Sequence, residues 1–338
     1  MSTGLADLSA GALLLAVTAY STAGGVDFGA GIWDLLAGRS ERGQRARELI
    51  DHAMAPVWEV NNVWLAFAIV VTWTGFPALF QAAFLSLYPL FTIALVGLIL
   101  RGAFFAFRHI ADTPREHRIA DLVFGLSSAV TPFFFAAALG AIASGRVTAP
   151  GPRMPIWEVC VSPMSVSFGL VSLAATALSG AAFLIGDARR EAPELADYFR
   201  RRVIAAAAVL IVVGTLAMVV IGVERSQLLV AMFTPPALLI TLGTMVLTLV
   251  VAALVWRRVF FLYRLLTVGA VACLVLAWGF AQSPYLLPGQ LTIAQAAAPA
   301  STQVLLLVVA AGVLFVICPA IGLLVYLDQR SLLQSPEA

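Results

Sequence analysis

Residues 8–33 read LSAGALLLAVTAYSTAGGVDFGAGIW, twenty-six positions with one formally charged side chain, Asp27. A helix rising about 1.5 Å per residue needs only ~20 such residues to cross ~30 Å of hydrocarbon. Strands built for a membrane would alternate in polarity, and this run does not. Further apolar windows fall near 58–80, 83–108, 119–143, 163–187, 203–223, 228–256, 259–282 and 302–327. The composition agrees: 61% of the 338 residues are hydrophobic and 11% charged, against ~25% charged in soluble domains. Too little charge remains to build a water-facing surface, and bilayer hydrocarbon satisfies no backbone polar group. The expectation is an all-α integral membrane protein of about nine transmembrane helices, one transmembrane domain over 1–338. The first run is too long, and lacks the basic flank, for a cleavable signal peptide.

Arginine placement sets the expected orientation. Every Lys/Arg position is Arg, and 17 of the 20 fall in or flanking alternate loops and in the tail. Only Arg146, Arg153 and Arg225 belong to the other side. The positive-inside rule then places the N-terminus outside and the C-terminus in the cytoplasm. Connectors 34–57, 144–162 and 283–301 are too short to be domains. Pro77, Pro132 and Pro319 are expected inside helices, where each removes a backbone donor. Ser165, Gly169, Ser172, Thr176 and Ser179 form a small-residue stripe suited to close packing inside the bundle.

Ionisable groups within hydrocarbon cost at least ~2.5–3.5 kcal/mol each on insertion scales, so each needs a reason. Asp27 lies in a glycine-rich stretch, Gly24 to Gly31, near the inner end of the first helix. It reads either as part of a proton path or as a charge pair with Arg101 or Arg108. Gly25 and Gly29 add a G-x-x-x-G contact. Glu59 opens the second helix after Pro56, Val57 and Trp58, where it is either a helix-end carboxylate or a second proton-path acid. Asn61, Asn62 and Trp64 follow and add hydrogen-bonding capacity. Arg108 is expected to snorkel to the interface, and Arg101, deeper by seven residues, is the better partner for a buried acid.

His52, His109 and His117 all fall in or beside loops, whereas haem in a bundle needs inward-facing axial ligands. Met218, Met232 and Met245 read as filler. Cys160, Cys273 and Cys318 are isolated, with no zinc, iron–sulfur or disulfide spacing. No cofactor is therefore expected on this chain alone, and no nucleic-acid partner.

These segments resemble a known family. Asp27-Phe28-Gly29-Ala30-Gly31 is similar to the Asp-Leu-Gly-x-Gly signature of subunit II of cytochrome bd-type quinol oxidases. Ala55 to Leu65 resembles its Ala-Pro-Val-Trp-Asp-Gly-Asn-Glu-Val-Trp-Leu segment. Phe76-Pro77, Leu98 to Arg108, and Pro284 to Pro288 with Leu291-Thr292-Ile293 also fit. The resemblance implies two four-helix bundles plus one peripheral helix. It implies a haem-free subunit paired with a haem-bearing subunit I that holds haem b, haem d and the quinol site. A small accessory transmembrane subunit, membrane lipids and a bound quinone are compatible with that assembly. The complex would sit in a prokaryotic cytoplasmic membrane, oxidise quinol, reduce oxygen to water and draw protons from the cytoplasm. Asp27 and Glu59 match the acids of the family's proton route, with Trp58, Asn61, Asn62, Trp64 and Arg101 as supporting partners. The sequence departs from the pattern at Glu59-Val60-Asn61-Asn62, where the family has Asp-Gly-Asn-Glu or Gln. Glu59 keeps the carboxylate with one more methylene, while Val60 and Asn62 replace a glycine and a longer acid or amide. The alternative is a proton-coupled secondary transporter or small-molecule exporter. Such folds often carry inverted repeats and midplane sites; no repeat is visible here, and both acids sit off-centre.

Overall fold

The computed structural model describes residues 2–38, 40–54, 58–108 and 110–329; the side chains of 2, 3, 54, 58–60, 317, 318, 321, 322 and 324–329 lie outside that description. Nine helices of 18 residues or more run through the described residues. They are α1 (Ser2–Leu35), α3 (Trp58–Gly75), α4 (Pro77–Arg108), α5 (Pro114–Ala143), α7 (Pro163–Glu191), α8 (Ala196–Glu224), α10 (Ala237–Trp256), α11 (Tyr263–Gln282) and α13 (Ala300–Gln329). Seven of these are long and apolar enough to cross a membrane, and Ala300–Val316 adds a shorter apolar stretch. Between them lie α2 (Glu41–Met54), α6 (Ile156–Cys160), α9 (Ser226–Met232) and α12 (Ile293–Ala296), with a hairpin of β1 (Tyr285–Leu287) and β2 (Leu291–Thr292).

Local chemistry sets the boundaries. Thr113 caps α5 through a reciprocal capping box with Glu116, and Pro114 takes the first turn, where its missing N–H costs nothing. Ser162 caps α7 in front of Pro163. Pro77 is not inside a helix, as the sequence suggested, but opens α4 after a break at Phe76. The expected connector at 80–83 is accordingly helical. The carbonyl of Gly75 at that break accepts from Ala298 N at 2.9 Å and Gln303 Nε2 at 2.8 Å, which satisfies a buried acceptor. Pro89, Pro132 and Pro319 do lie within helices. The single window expected over 228–256 divides into α9 and α10, because Pro235 and Pro236 stand between them. The first connector folds as α2, which buries Ala46, Leu49 and Ile50 and exposes Arg42, Arg45 and Glu48.

Helices α1, α3, α4 and α5 form one four-helix bundle and α7, α8, α10 and α11 a second. The two meet along α1, α5 and α7, and α13 packs peripherally on α1 and α3. Lipid tails are as apolar as leucine, so close approach at small residues, not hydrophobic expulsion, holds such helices together. The small-residue stripe of α7 is used for this at the seam between the bundles, not within one as expected: Ser172 Oγ donates to Pro132 O at 3.1 Å, and Gly169 lies under the ring of Phe133. On the facing side α7 meets α1 at a glycine–glycine crossing. A Cβ at Gly29 would stand 2.7 Å from Gly180 N, and one at Gly180 would stand 2.6 Å from Ala30 N.

Gly29→Ala or Gly180→Ala should therefore wedge α1 from α7, at the about 1–3 kcal/mol typical of overpacking. Gly214→Ala, with nothing within 4 Å of the added Cβ, is the control. Thermal unfolding of the purified protein checks this; equal midpoints for all three variants would refute the crossing as a packing constraint.

Candidate functional site

The crossing brings the polar face of α1 against α4 and α5. On α1, Tyr20, Asp27 and Asp34 recur every seven residues, and on α4 Arg101 and Arg108 have the same spacing. Seven residues are nearly two helical turns, so each set shares a face. The two sets meet in register.

In the deeper tier, Arg101 Nη2 lies 2.7 Å from Asp27 Oδ1, with the two side chains 4% and 3% exposed. Arg101 Nη2 also reaches Asp27 O at 3.3 Å, and Arg101 Nε donates to Ser128 Oγ at 3.0 Å. Ser128 Oγ in turn donates to Phe124 O at 2.7 Å. The guanidinium lies between two rings, 4.9 Å from the centroid of Phe28 and 5.1 Å from that of Phe124. Burying an ion pair is offset only when geometry is good and the remaining donors are engaged; here the partner, the serine and the π faces do so. Of the two readings open for Asp27, the charge pair with Arg101 is present.

The shallower tier corrects the reading of Arg108 as a snorkelling anchor. Arg108 is buried and serves three carboxylates: Asp34 at 2.8 Å, Asp121 at 2.9 Å and Asp51 at 3.2 Å. A surface anchor was expected because Arg108 ends its apolar run; instead α2 and α5 each bring an acid over it. The side chain of Asp34 is fully buried, while those of Asp51 and Asp121 are about one-third exposed. Asp34 Oδ1 makes no hydrogen bond among the described residues. Phe124 separates the tiers, its centroid 4.7 Å from the Arg108 guanidinium. Asp34, Asp51 and Asp121 were not singled out from the sequence, although the seven-residue repeat carries the signal for Asp34.

Of the remaining sequence candidates, Asn61 and Trp64 are buried on α3 and Asn62 is partly buried. Both amide atoms of Asn61 lack hydrogen-bond partners among the described residues. The side chains of Trp58 and Glu59 lie outside the described residues. Cys160 is a packing thiol, its Sγ 3.6 Å from Ser86 O. His52 and His117 are exposed. No group of three or more His, Cys, Asp or Glu among the described residues could hold a metal ion.

Fold and site together define a multi-pass helical membrane protein in which a ladder of arginine–carboxylate pairs is buried near one end of the first bundle. The chain belongs to the family described as cytochrome bd terminal oxidase subunit II, whose family model matches residues 5–327. It is similar to cytochrome bd-I ubiquinol oxidase subunit 2 of Escherichia coli strain K12, 24% identical over 170 residues, 49% of this chain and 44% of that protein. It is also similar to cytochrome bd ubiquinol oxidase subunit 2 of Bacillus subtilis strain 168, 29% identical over 109 residues, 32% of this chain and 31% of that one. The matched stretches span less than half the length of these curated relatives. The structure of bd oxidase from Geobacillus thermodenitrificans shares the fold, with a TM-score of 0.79 at 23% identity, covering 96% of this chain and 98% of that one. Membership and the run of apolar helices make this a multi-pass protein of the bacterial cytoplasmic membrane.

Removing either member of a buried pair strands the other charge, at about 3–5 kcal/mol. Asp27→Asn and Arg101→Gln should each destabilise the protein by that order, and the double variant by less than the sum, with a coupling of about 1–3 kcal/mol. Additive losses in a thermal or denaturant series would show that the pair contributes nothing as a pair. Arg108→Gln leaves three facing carboxylates and should release α2. Trypsin should then cut at Arg42, Arg45 or Arg47 well before it does in the unaltered protein; an unchanged digest would mean that other contacts hold α2.

Proposed function

We propose that this chain is the haem-free subunit II of a cytochrome bd-type terminal oxidase, an oxidoreductase complex. In this reading a haem-bearing subunit I carries haem b and haem d, oxidises quinol and reduces oxygen to water. The observation that carries it is a family match over 5–327, joined to a buried acid, Asp27, at the motif on which the resemblance rests. The transporter alternative has no observation in its favour.

The contribution of this chain to the chemistry is scaffold and proton supply. The Arg-rich end faces the cytoplasm, by the excess of basic residues there, which leaves the N-terminus outside. Oxygen reduction consumes protons, and intramembrane carboxylates are the usual stations of proton relays. Asp27 and Glu59 serve as those stations. Arg101 holds Asp27 in one orientation while Ser128 holds Arg101. A proton can use Asp27 only as the pair with Arg101 loosens or through the carboxylate oxygen that Arg101 does not hold. The pair is therefore a gate as well as a rivet. Trp58, Asn61, Asn62 and Trp64 belong with Glu59 to the first turns of α3 and, in this reading, support that approach.

Asp27→Asn and Glu59→Gln, each in the purified complex, should lower oxygen consumption by about tenfold or more, as loss of a positioned proton-transfer group does. The haem d absorption band should persist. Unchanged consumption removes the proton role, and loss of the haem band together with activity reduces these residues to scaffold. Purification without any haem-bearing partner chain would overturn the oxidase reading itself.

A further inference from the structure

The Arg-rich end carries a second polar feature, apart from the ladder. Between α2 and the corner joining α7 to α8 lies a cleft of about 410 Å³, lined by Arg42, Glu194, Asp197, Tyr198, Arg201 and Arg202. That volume falls in the about 300–1,000 Å³ range of small-molecule sites. It adjoins a second hollow that shares Arg42 and Glu194 and adds Arg45.

The charges of the cleft are not balanced from within. Its two acids are drawn to arginines outside it: Asp197 to Arg200 at 3.0 Å and Arg258 at 3.1 Å, and Glu194 to Arg45 at 3.5 Å. Arg42 and Arg201 have no ion pair among the described residues. Arg202 has no carboxylate partner there either; its Nη2 donates to Leu36 O at 3.5 Å and rings hold its guanidinium. Its guanidinium carbon lies 3.3 Å from the Tyr198 centroid and 5.2 Å from that of Trp33. Three buried polar atoms at this corner have no hydrogen-bond partner among the described residues: Tyr198 Oη, Arg202 Nε and Arg47 Nε. Unmet buried donors are costly. Three guanidiniums with spare donors match a compact anion bearing several oxygens, and planar arginine forks suit phosphate in particular. Trp33 and Tyr198 are residues of the kind that sit at headgroup depth, where basic pockets between helices take phosphate-bearing headgroups.

We propose that this cleft is a binding site for a phosphate group, presented by an anionic phospholipid headgroup or by free phosphate. The site is independent of the oxidase reading, since none of its residues belongs to the ladder or to the proposed proton route.

The test uses the full-length protein purified in neutral detergent and incubated with phosphatidylglycerol, phosphatidylcholine or sodium phosphate, with retained mass read by native mass spectrometry. Each arginine near a membrane surface is worth about fivefold in affinity for an anionic headgroup. The unaltered protein should retain phosphatidylglycerol over phosphatidylcholine, and Arg42→Gln with Arg201→Gln should reduce that preference by about fivefold or more. Both side chains are exposed, so the fold should survive, which a thermal unfolding midpoint verifies. Arg190→Gln, at the same end but outside the cleft, should leave the preference intact. Retention of inorganic phosphate by the unaltered protein but not by the double variant, with no lipid preference, identifies free phosphate as the source. Equal retention of all three ligands by both proteins, or an equal loss in Arg190→Gln, overturns the proposal.

Discussion

A guanidinium inside an apolar bundle has few tolerable surroundings, and most of the first bundle is arranged to supply them for Arg101. Five N–H donors and a full charge must be met without water. Asp27 supplies the counter-charge, Ser128 an acceptor, and Phe28 and Phe124 the negative faces of their rings. Those partners come from α1 and α5, so one residue of α4 fixes the mutual rotation of three helices. A shift of α1 by one residue would turn Asp27 about 100° away and leave the arginine bare. Register, which hydrophobic packing in lipid specifies weakly, is specified here by charge.

The pair in turn requires close approach. An Asp side chain is short, and it reaches Arg101 only because α1 lies deep between its neighbours. The glycine crossing of Gly29 with Gly180 on one side, and Gly31 against Ser128 on the other, permit that depth. Gly29 and Gly31 are thus explained by steric need on two faces of α1, whereas a Cβ at Gly24 or Gly25 would meet only ordinary contacts.

The number of long helices, their apolar windows and the gathering of arginine at one end were legible in the sequence because each is a property of composition along a helix. Asp27 and its partner Arg101 were legible too, since an isolated charge in a long apolar run demands an opposite one. The second tier was not. Asp34 falls one residue beyond Trp33, and Arg108 closes its own apolar run, so both resemble interface residues in one dimension. Only folding α2 back over the end of the bundle, with Asp51 aboard, makes that end an interior. The break at Phe76 was missed for a related reason: Pro77 reads the same whether it kinks one helix or opens the next. What distinguishes the two is a distant acceptor–donor match, Gly75 O with Gln303 Nε2.

The tiers are neighbours without being a chain. Asp51 and Asp121 touch both solvent and Arg108, and Arg108 touches Asp34, but there the hydrogen-bonded series among the described residues stops. Phe124 stands between, and its ring offers a cation a face yet offers a proton no acceptor. Successive acids on α1 are seven residues apart, about 10 Å along the axis, beyond direct transfer. The Arg108 tier is accordingly suited to clamping α2, α4 and α5 to α1 and ill suited to feeding Asp27. The buried amide of Asn61, near the start of α3, has no partner among the described residues, and the proposed approach to Asp27 lies on that side. That asymmetry suits the proposed division of labour, in which Arg108 organises its end of the bundle and protons reach Asp27 from the α3 side.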